Sequence, residues 1–216
     1  MYKKNRELTT RSKNKRDQKI LREVFHFVDS SAIISKETTW AQRDQALKDG
    51  EEKLNNKNVS KYAADKDARF GCKGKNKFWY GYKRHVSTDM GSGLVTKVAV
   101  TPANETDAQG LEKVCPRGGM VFADKAYCVN SAQLTMKKNE IHSGAIMKDN
   151  MIGKNKDKDF WISRIRSPFE NIFSKLETRA RYRGLAKVQF QGFMEAIVFN
   201  VRRLLTISRT PAYQAT

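Results

Sequence analysis

Two apolar runs in this chain each carry an aspartate where a buried strand would be expected to carry none. Val24-Phe25-His26-Phe27-Val28 leads into Asp29 and continues to Ile34, and Met120-Val121-Phe122-Ala123 runs directly into Asp124. β-branched and aromatic residues in short runs fit buried strands. A carboxylate inside or at the end of such a strand needs a partner, because an isolated buried charge is strongly disfavoured. Any fold for this chain must give these two acids a reason to be there.

Residues 36–77 are polar, dominated by Lys, Asn, Asp and Gly with a weak helical stretch around Trp40 to Leu54, and read as an insertion projecting from the core. Phe78 to Val86 and Leu94 to Val100 are strand-like, and the turn-rich segment Ser87 to Gly93 joins them into a β-hairpin. Asn104 to Val114 has helical spacing, Gly118-Gly119 launches the strand that ends at Asp124, Ser131 to Lys138 is helical, and Ile141 to Met147 is a further strand. Asn150 to Asp159 reads as a loop. Ser167-Pro168-Phe169-Glu170 offers an N-cap serine, a proline at the first helical position and a glutamate three residues after the cap, which predicts a helix beginning there. A closing helix over Val188 to Leu205 carries Phe190, Phe193, Met194, Ile197, Val198, Val201, Leu204 and Leu205 as one apolar stripe, expected to face the core.

A hairpin-linked set of strands followed by alternating helices and strands is the order of a ribonuclease-H-like α/β fold, a mixed sheet flanked by helices. Its first and fourth strands lie side by side, so Asp29 and Asp124 become neighbours. Two adjacent aspartates repel unless a cation joins them, and Mg²⁺ resolves the conflict. A helix across the strand ends would add Glu170. Capping of its own helix is the competing role for Glu170, with Glu177 two turns on as the reserve carboxylate.

The chain holds 42 Lys and Arg against 23 Asp and Glu, a net charge of +19, which points to a polyanionic partner such as nucleic acid. No run approaches the roughly 18 to 20 apolar residues of a membrane span, and the N-terminus is polar, so a cytoplasmic protein is expected. Cys72, Cys115 and Cys128 form no Cys-x-x-Cys pair, and neither a disulfide framework nor a zinc site is supported. The expected organisation is a basic arm over 1–23, one catalytic domain over 24–207 with its insertion at about 36–77, and a tail over 208–216.

The wording of several segments narrows this reading. Asp67-Ala68-Arg69-Phe70-Gly71, Phe78-Trp79-Tyr80-Gly81-Tyr82-Lys83, Thr101-Pro102-Ala103-Asn104 with Asp107, and Ala123-Asp124-Lys125-Ala126-Tyr127 together resemble the DDE domain of bacterial insertion-sequence transposases. The group most resembled is the one named after insertion sequence number five, and the likeness runs from about Phe25 to Leu205. It implies that Asp29, Asp124 and Glu170 are the catalytic, metal-binding triad, with Mg²⁺ as cofactor and Mn²⁺ able to substitute. It further implies cleavage and joining of DNA ends by two metal ions, acting on double-stranded DNA at transposon terminal inverted repeats and in target DNA, by a homodimer in the bacterial nucleoid.

The family places an Arg four residues before the Glu, satisfied by Arg166, which would grip a phosphate. Its Lys seven residues after the Glu and its Tyr seven before are replaced here by Glu177 and Ser163, with Lys175 and Trp161 as the nearest substitutes. Lys83, Arg84 and Lys125 complete the expected DNA contacts, near Lys73, Lys75 and Lys77. Asp65, Asp67, Asp89 and Asp107 are expected in turns, ion pairs or a helix start rather than as ligands. The shortness of the region before Asp29 suggests a fragment of a split reading frame, and the alternative function is an inactive remnant acting only as a basic DNA-binding protein.

Overall fold

The structure, a computed structural model, describes residues 24–74 and 76–209. The expected basic arm, Lys75 and most of the C-terminal tail lie outside the described residues. Six strands form one sheet: β1 (Phe25–Ile34), β2 (Arg69–Lys73), β3 (Lys77–Asp89), β4 (Val95–Pro102), β5 (Met120–Ala123) and β6 (His142–Ala145). β3 pairs antiparallel with β1, β2 and β4, whereas β1–β5 and β5–β6 are parallel. Gly81 pairs with Ile34 on one edge of β3 and with Arg69 on the other, so β2 and β4 follow one another along the edge facing away from β1. The helices are α1 (Trp40–Lys48), α2 (Val59–Tyr62), α3 (Asp107–Val114), α4 (Asn130–Lys138), α5 (Lys156–Glu170) and α6 (Leu185–Ser208). This mixed sheet with flanking helices is compatible with the expected ribonuclease-H-like fold, and the β3–β4 hairpin stands as expected.

Strand alternation divides the interior. Val28 on β1 joins Leu111 and Val114 of α3, Val121 and Ala123 of β5, and Ala132 and Met136 of α4. Its neighbour Phe27 faces the other way, into a cluster with Val86, Val95, Ile172, Leu176 and Ala196, against which Phe169 and Phe173 pack. α3 begins at Asp107 rather than near Asn104, because Thr106 and Gln109 form a reciprocal capping box.

Three expectations change. Residues 36–77 do more than project, since Val59, Ala63 and Ala68 are buried with Ile33, Tyr80, Tyr82 and Val188. Asp65 ties that segment inward by accepting from the Tyr82 hydroxyl (2.7 Å) and from Gly184 N (3.2 Å). Few apolar residues were needed, which is why composition alone read the stretch as an appendage.

The helix expected to start at Ser167 starts eleven residues earlier, at Lys156, and Glu170 is its last residue. Asn155 caps it by accepting from Lys158 N (2.9 Å), and Asp157 and Asp159 sit in its first turn, where the helix dipole favours anions. Ser167 therefore caps nothing, and the capping role weighed for Glu170 does not arise.

The apolar stripe on α6 is not in the core. Phe190, Ile197 and Leu204 are 59%, 54% and 51% exposed, and the other five stripe residues are exposed too. The inward face instead carries Val188, Gln191, Gly192 and Ala196. Its purpose is polar, because β4 borders the sheet and needs partners for its free backbone groups. The Asn200 amide bonds both Val95 N and Val95 O at 2.8 Å, Gln189 accepts from Val100 N at 2.6 Å, and Gly192 lets the helix come close to Val100.

Candidate active site

β1 and β5 run in parallel with Phe27 opposite Phe122. Asp29 and Asp124 each follow two residues after their member of that pair. Alternation then turns both carboxylates to the same sheet face at the same level, the face that α5 crosses. Asp29 Oδ1 accepts from Ser30 N (2.7 Å) and Asp124 Oδ1 from Ala126 N (2.8 Å), which fixes each carboxylate by its own chain. Asp124 also caps a 3-10 turn, Lys125–Tyr127.

α5 supplies the other two expected residues. Arg166 is buried, lies 5.7 Å over the Phe27 ring, and places Nη2 at 3.4 Å from Asp29 Oδ2 and 3.3 Å from Glu170 Oε1. Its guanidinium thus bridges the first acid to the third. The Glu170 side chain is 53% exposed, on the outer side of this bridge. Burial pushes the Asp29 carboxyl up to about 6; the Asp124 charge adds to this, while the Ser30 N–H and Arg166 oppose it.

Among the described residues, no group of three or more His, Cys, Asp or Glu stands close enough to hold a metal ion together. The chemistry of the Asp29–Asp124 pair nevertheless fits a hard divalent cation: two carboxylates, the ionisation of one made costlier by burial and a like charge, are relieved by positive charge between them. Glu170 does not yet stand with them, because Arg166 holds it.

Behind the pair, on the opposite face, the Ser30 hydroxyl donates to Asp107 (2.7 Å), and Asp107 is ion-paired to Lys83 (3.0 Å), which also donates to Glu105 O (2.8 Å). Tyr127 is fully buried in the cluster that holds Val28, Leu111 and Ala123. Neither Ser30 nor Tyr127 stood out in sequence as a site residue, although Tyr127 closes the Asp124-Lys125-Ala126-Tyr127 motif and Ser30 follows the first acid.

The remaining expected DNA contacts separate. Lys125 is exposed next to Asp124, with a loose 3.9 Å ion pair to Asp149. Lys175 is exposed in the 3-10 turn Phe173–Lys175 after α5, on the rim of a cavity of about 630 Å³ bordered by Arg202, Arg203 and Phe190. Arg84 is 1% exposed, donates to Glu195 and to Glu177 O, and so holds α6 rather than facing solvent. Lys83 is half-buried in its pair with Asp107. Of the cations expected at DNA, Lys83 and Arg84 thus both have anionic partners inside the fold. Glu177 pairs with Arg181 (2.8 Å), outside the acid cluster. Asp67 accepts from Leu185 N, Asp89 from Ser92 N, and Asp107 opens α3, all in the structural roles expected.

Among the described residues, no helix is long and apolar enough to cross a membrane. The three cysteines are free. A family model described as the transposase DDE domain matches residues 27–201, a span that includes both aspartates and all of α5. The transposase for insertion sequence element IS1106 of Neisseria meningitidis serogroup B is 27% identical over 219 aligned residues, covering 95% of this chain and 74% of that relative. With Asp29 within β1 and Asp124 directly after the neighbouring β5, both inside the matched span, the chain belongs to the transposase DDE-domain family.

Proposed function

We propose that this chain carries the cleavage and joining of DNA ends in transposition of an insertion sequence, with Asp29, Asp124 and Glu170 as its catalytic carboxylates. The observation that supports this most directly is the β1–β5 register, which sets two acids from distant parts of the chain side by side under the helix bearing Arg166 and Glu170. Asp29 and Asp124 would hold Mg²⁺, or Mn²⁺ in its place, and Glu170 would complete the set. Bound there, such ions activate a water or 3′-hydroxyl and stabilise the leaving oxygen.

Arg166 balances the negative charge of the cluster and stands where a scissile phosphate would approach it. Lys125 and Lys175 supply exposed cations. The substrate is double-stranded DNA, the transposon terminal inverted repeats and the target, bound by two copies of the chain. Each phosphate contact adds about 0.9 to the slope of log affinity against log salt.

The test is a nicking assay on labelled duplex bearing the element's terminal repeat, in Mn²⁺ and in metal-free buffer, with wild type and Asp124→Asn. Cleavage at the repeat end that needs both metal and Asp124 is the expected result. Salt-dependent DNA binding with no cleavage by a folded chain favours a non-catalytic DNA-binding remnant instead, a reading to which the Arg166–Glu170 pairing lends weight. Cleavage unaffected by Asp124→Asn refutes the assignment of the site.

A further inference from the structure

α6 has two working faces. Val188, Gly192 and Ala196 turn inward, and the Gln189 and Asn200 amides bond the backbone of β4. At about 3.6 residues per turn the apolar stripe falls on the opposite side. Its eight residues are 44% to 59% exposed, and the described residues leave them open. Together they present roughly 800 Å² of surface, more than the ~300 to 600 Å² of the largest apolar patch on an ordinary monomer.

The spacing of the stripe says what suits it. Phe190, Met194, Ile197, Val201 and Leu204 follow one another at steps of four, three, four and three, the a and d positions of a heptad. Such a seam packs against another helix by inserting knobs into holes. Phe193, Val198 and Leu205 widen it, and no charge interrupts it: Glu195 is paired with Arg84, and Arg203 donates to Ser92 O. The cavity of about 630 Å³ opens beside the seam, bordered by Phe190, Met194 and Val198, and offers room for a side chain from outside.

A second copy of the chain brings the matching helix. A specific interface of standard size takes about 800 Å² from each partner, which the stripe supplies by itself. A two-fold contact uses the same patch on both partners, so Ile197, near the middle of the stripe, meets its own counterpart. An uncharged seam is also where two chains of net charge +19 approach with least repulsion.

We propose that the exposed face of α6 is a self-association surface, on which two copies pack α6 against α6 and form a dimer without DNA. This gives a surface to the two copies of the functional reading, but it rests on α6 and not on the carboxylates, so either reading can fall alone.

The test is sedimentation equilibrium of the nuclease-treated 216-residue chain in metal-free, high-salt buffer, from nanomolar to high micromolar concentration. Wild type is expected to pass from the mass of one chain to that of two, with a thermal midpoint that rises with concentration. Ile197→Lys combined with Val201→Lys should weaken the dimer at least ~100-fold, since each copy would bury two unpaired charges at the centre of the contact. Its midpoint should match that of dilute wild type at every concentration, because both sites are exposed on the separate chain. In a Cys72→Ser background, Ile197→Cys should cross-link between copies on oxidation with diamide, whereas Leu134→Cys, exposed on α4, should not.

A wild type that stays monomeric, a lysine variant that dimerises like wild type, or equal cross-linking at 197 and 134 overturns the proposal. Should the lysine variant fail to fold, the cross-linking comparison carries the test. A monomer that floats with lipid vesicles would assign the face to a membrane surface, and one that does not would leave it to another polypeptide; both results overturn self-association. No DNA or metal enters these measurements, so their failure leaves the Asp124→Asn nicking test standing, and failure of that test leaves the dimer standing.

Discussion

Replacing Asp29 by Asn tests whether the fold holds this acid against its own stability. Burial, joined by the charge of Asp124, raises the Asp29 carboxyl from its ordinary 3.8 to about 6. Its proton is therefore bound more tightly in the folded chain than in the unfolded one. Stability must then fall as pH rises between about 4 and 6, and the loss is complete above that window. The difference corresponds to ~3 kcal/mol at neutral pH, at about 1.4 kcal/mol per pH unit. Asparagine removes the ionisation but also weakens the contact with Arg166, which leaves a net gain of ~2 kcal/mol for a partly buried pair. In a chain of this size the gain is a rise of ~4 to 8 °C in thermal midpoint at pH 7. Urea unfolding of both proteins across pH 4 to 8 in metal-free buffer measures it. The gap should shrink toward pH 4, where Asp29 is protonated in the folded chain and about half protonated in the unfolded one. It should shrink or reverse in millimolar Mn²⁺, which stabilises only a chain able to bind it. An Asp29→Asn protein less stable than wild type at pH 7, or a gap that does not change with pH, refutes the reasoning.

Arg84→Ala should cost about 3 to 5 kcal/mol in urea unfolding, because it leaves Glu195 inside without its cation; a drop in DNA affinity with stability intact would instead mark Arg84 as a phosphate contact. Ile197→Lys combined with Val201→Lys should alter the stability of this chain by no more than about 0.5 kcal/mol per site, as both are exposed, whereas burial of the stripe would make the pair severely destabilising. Gly110→Ala should destabilise despite the better helix propensity of alanine, worth about 1 kcal/mol, because the added methyl would run into the His85 ring; a more stable variant by thermal melting would contradict that packing.

The two aspartates were legible in sequence because a carboxylate interrupting a β-branched run has few innocent explanations. Their juxtaposition followed from element order alone. The helix carrying Glu170 was found in the wrong frame. Ser167-Pro168 imitates a helix start, while the true start at Asn155 lies in a Lys- and Asp-rich stretch whose charged residues hide the periodicity. The α6 stripe shows the limit of periodicity, which identifies an amphipathic helix but not the surface it meets; here the sheet needed amides for its border strand. Arg84 was grouped with Lys83 by proximity in sequence, although alternation sends neighbouring strand residues to opposite faces, and it lies buried against Glu195. The chain of Ser30, Asp107 and Lys83 could not be read, since its members touch only after β1, β3 and α3 have assembled.

Because the acids are set level by strand pairing, with Phe27 opposite Phe122, their alignment depends on spacing as much as on identity. Adding or deleting one residue between Phe122 and Asp124 would turn the second carboxylate toward the α3 side while leaving both aspartates in the sequence. On the proposed reading of the two acids, a copy of such an element is silenced by a three-nucleotide change that any comparison of catalytic letters would pass as intact.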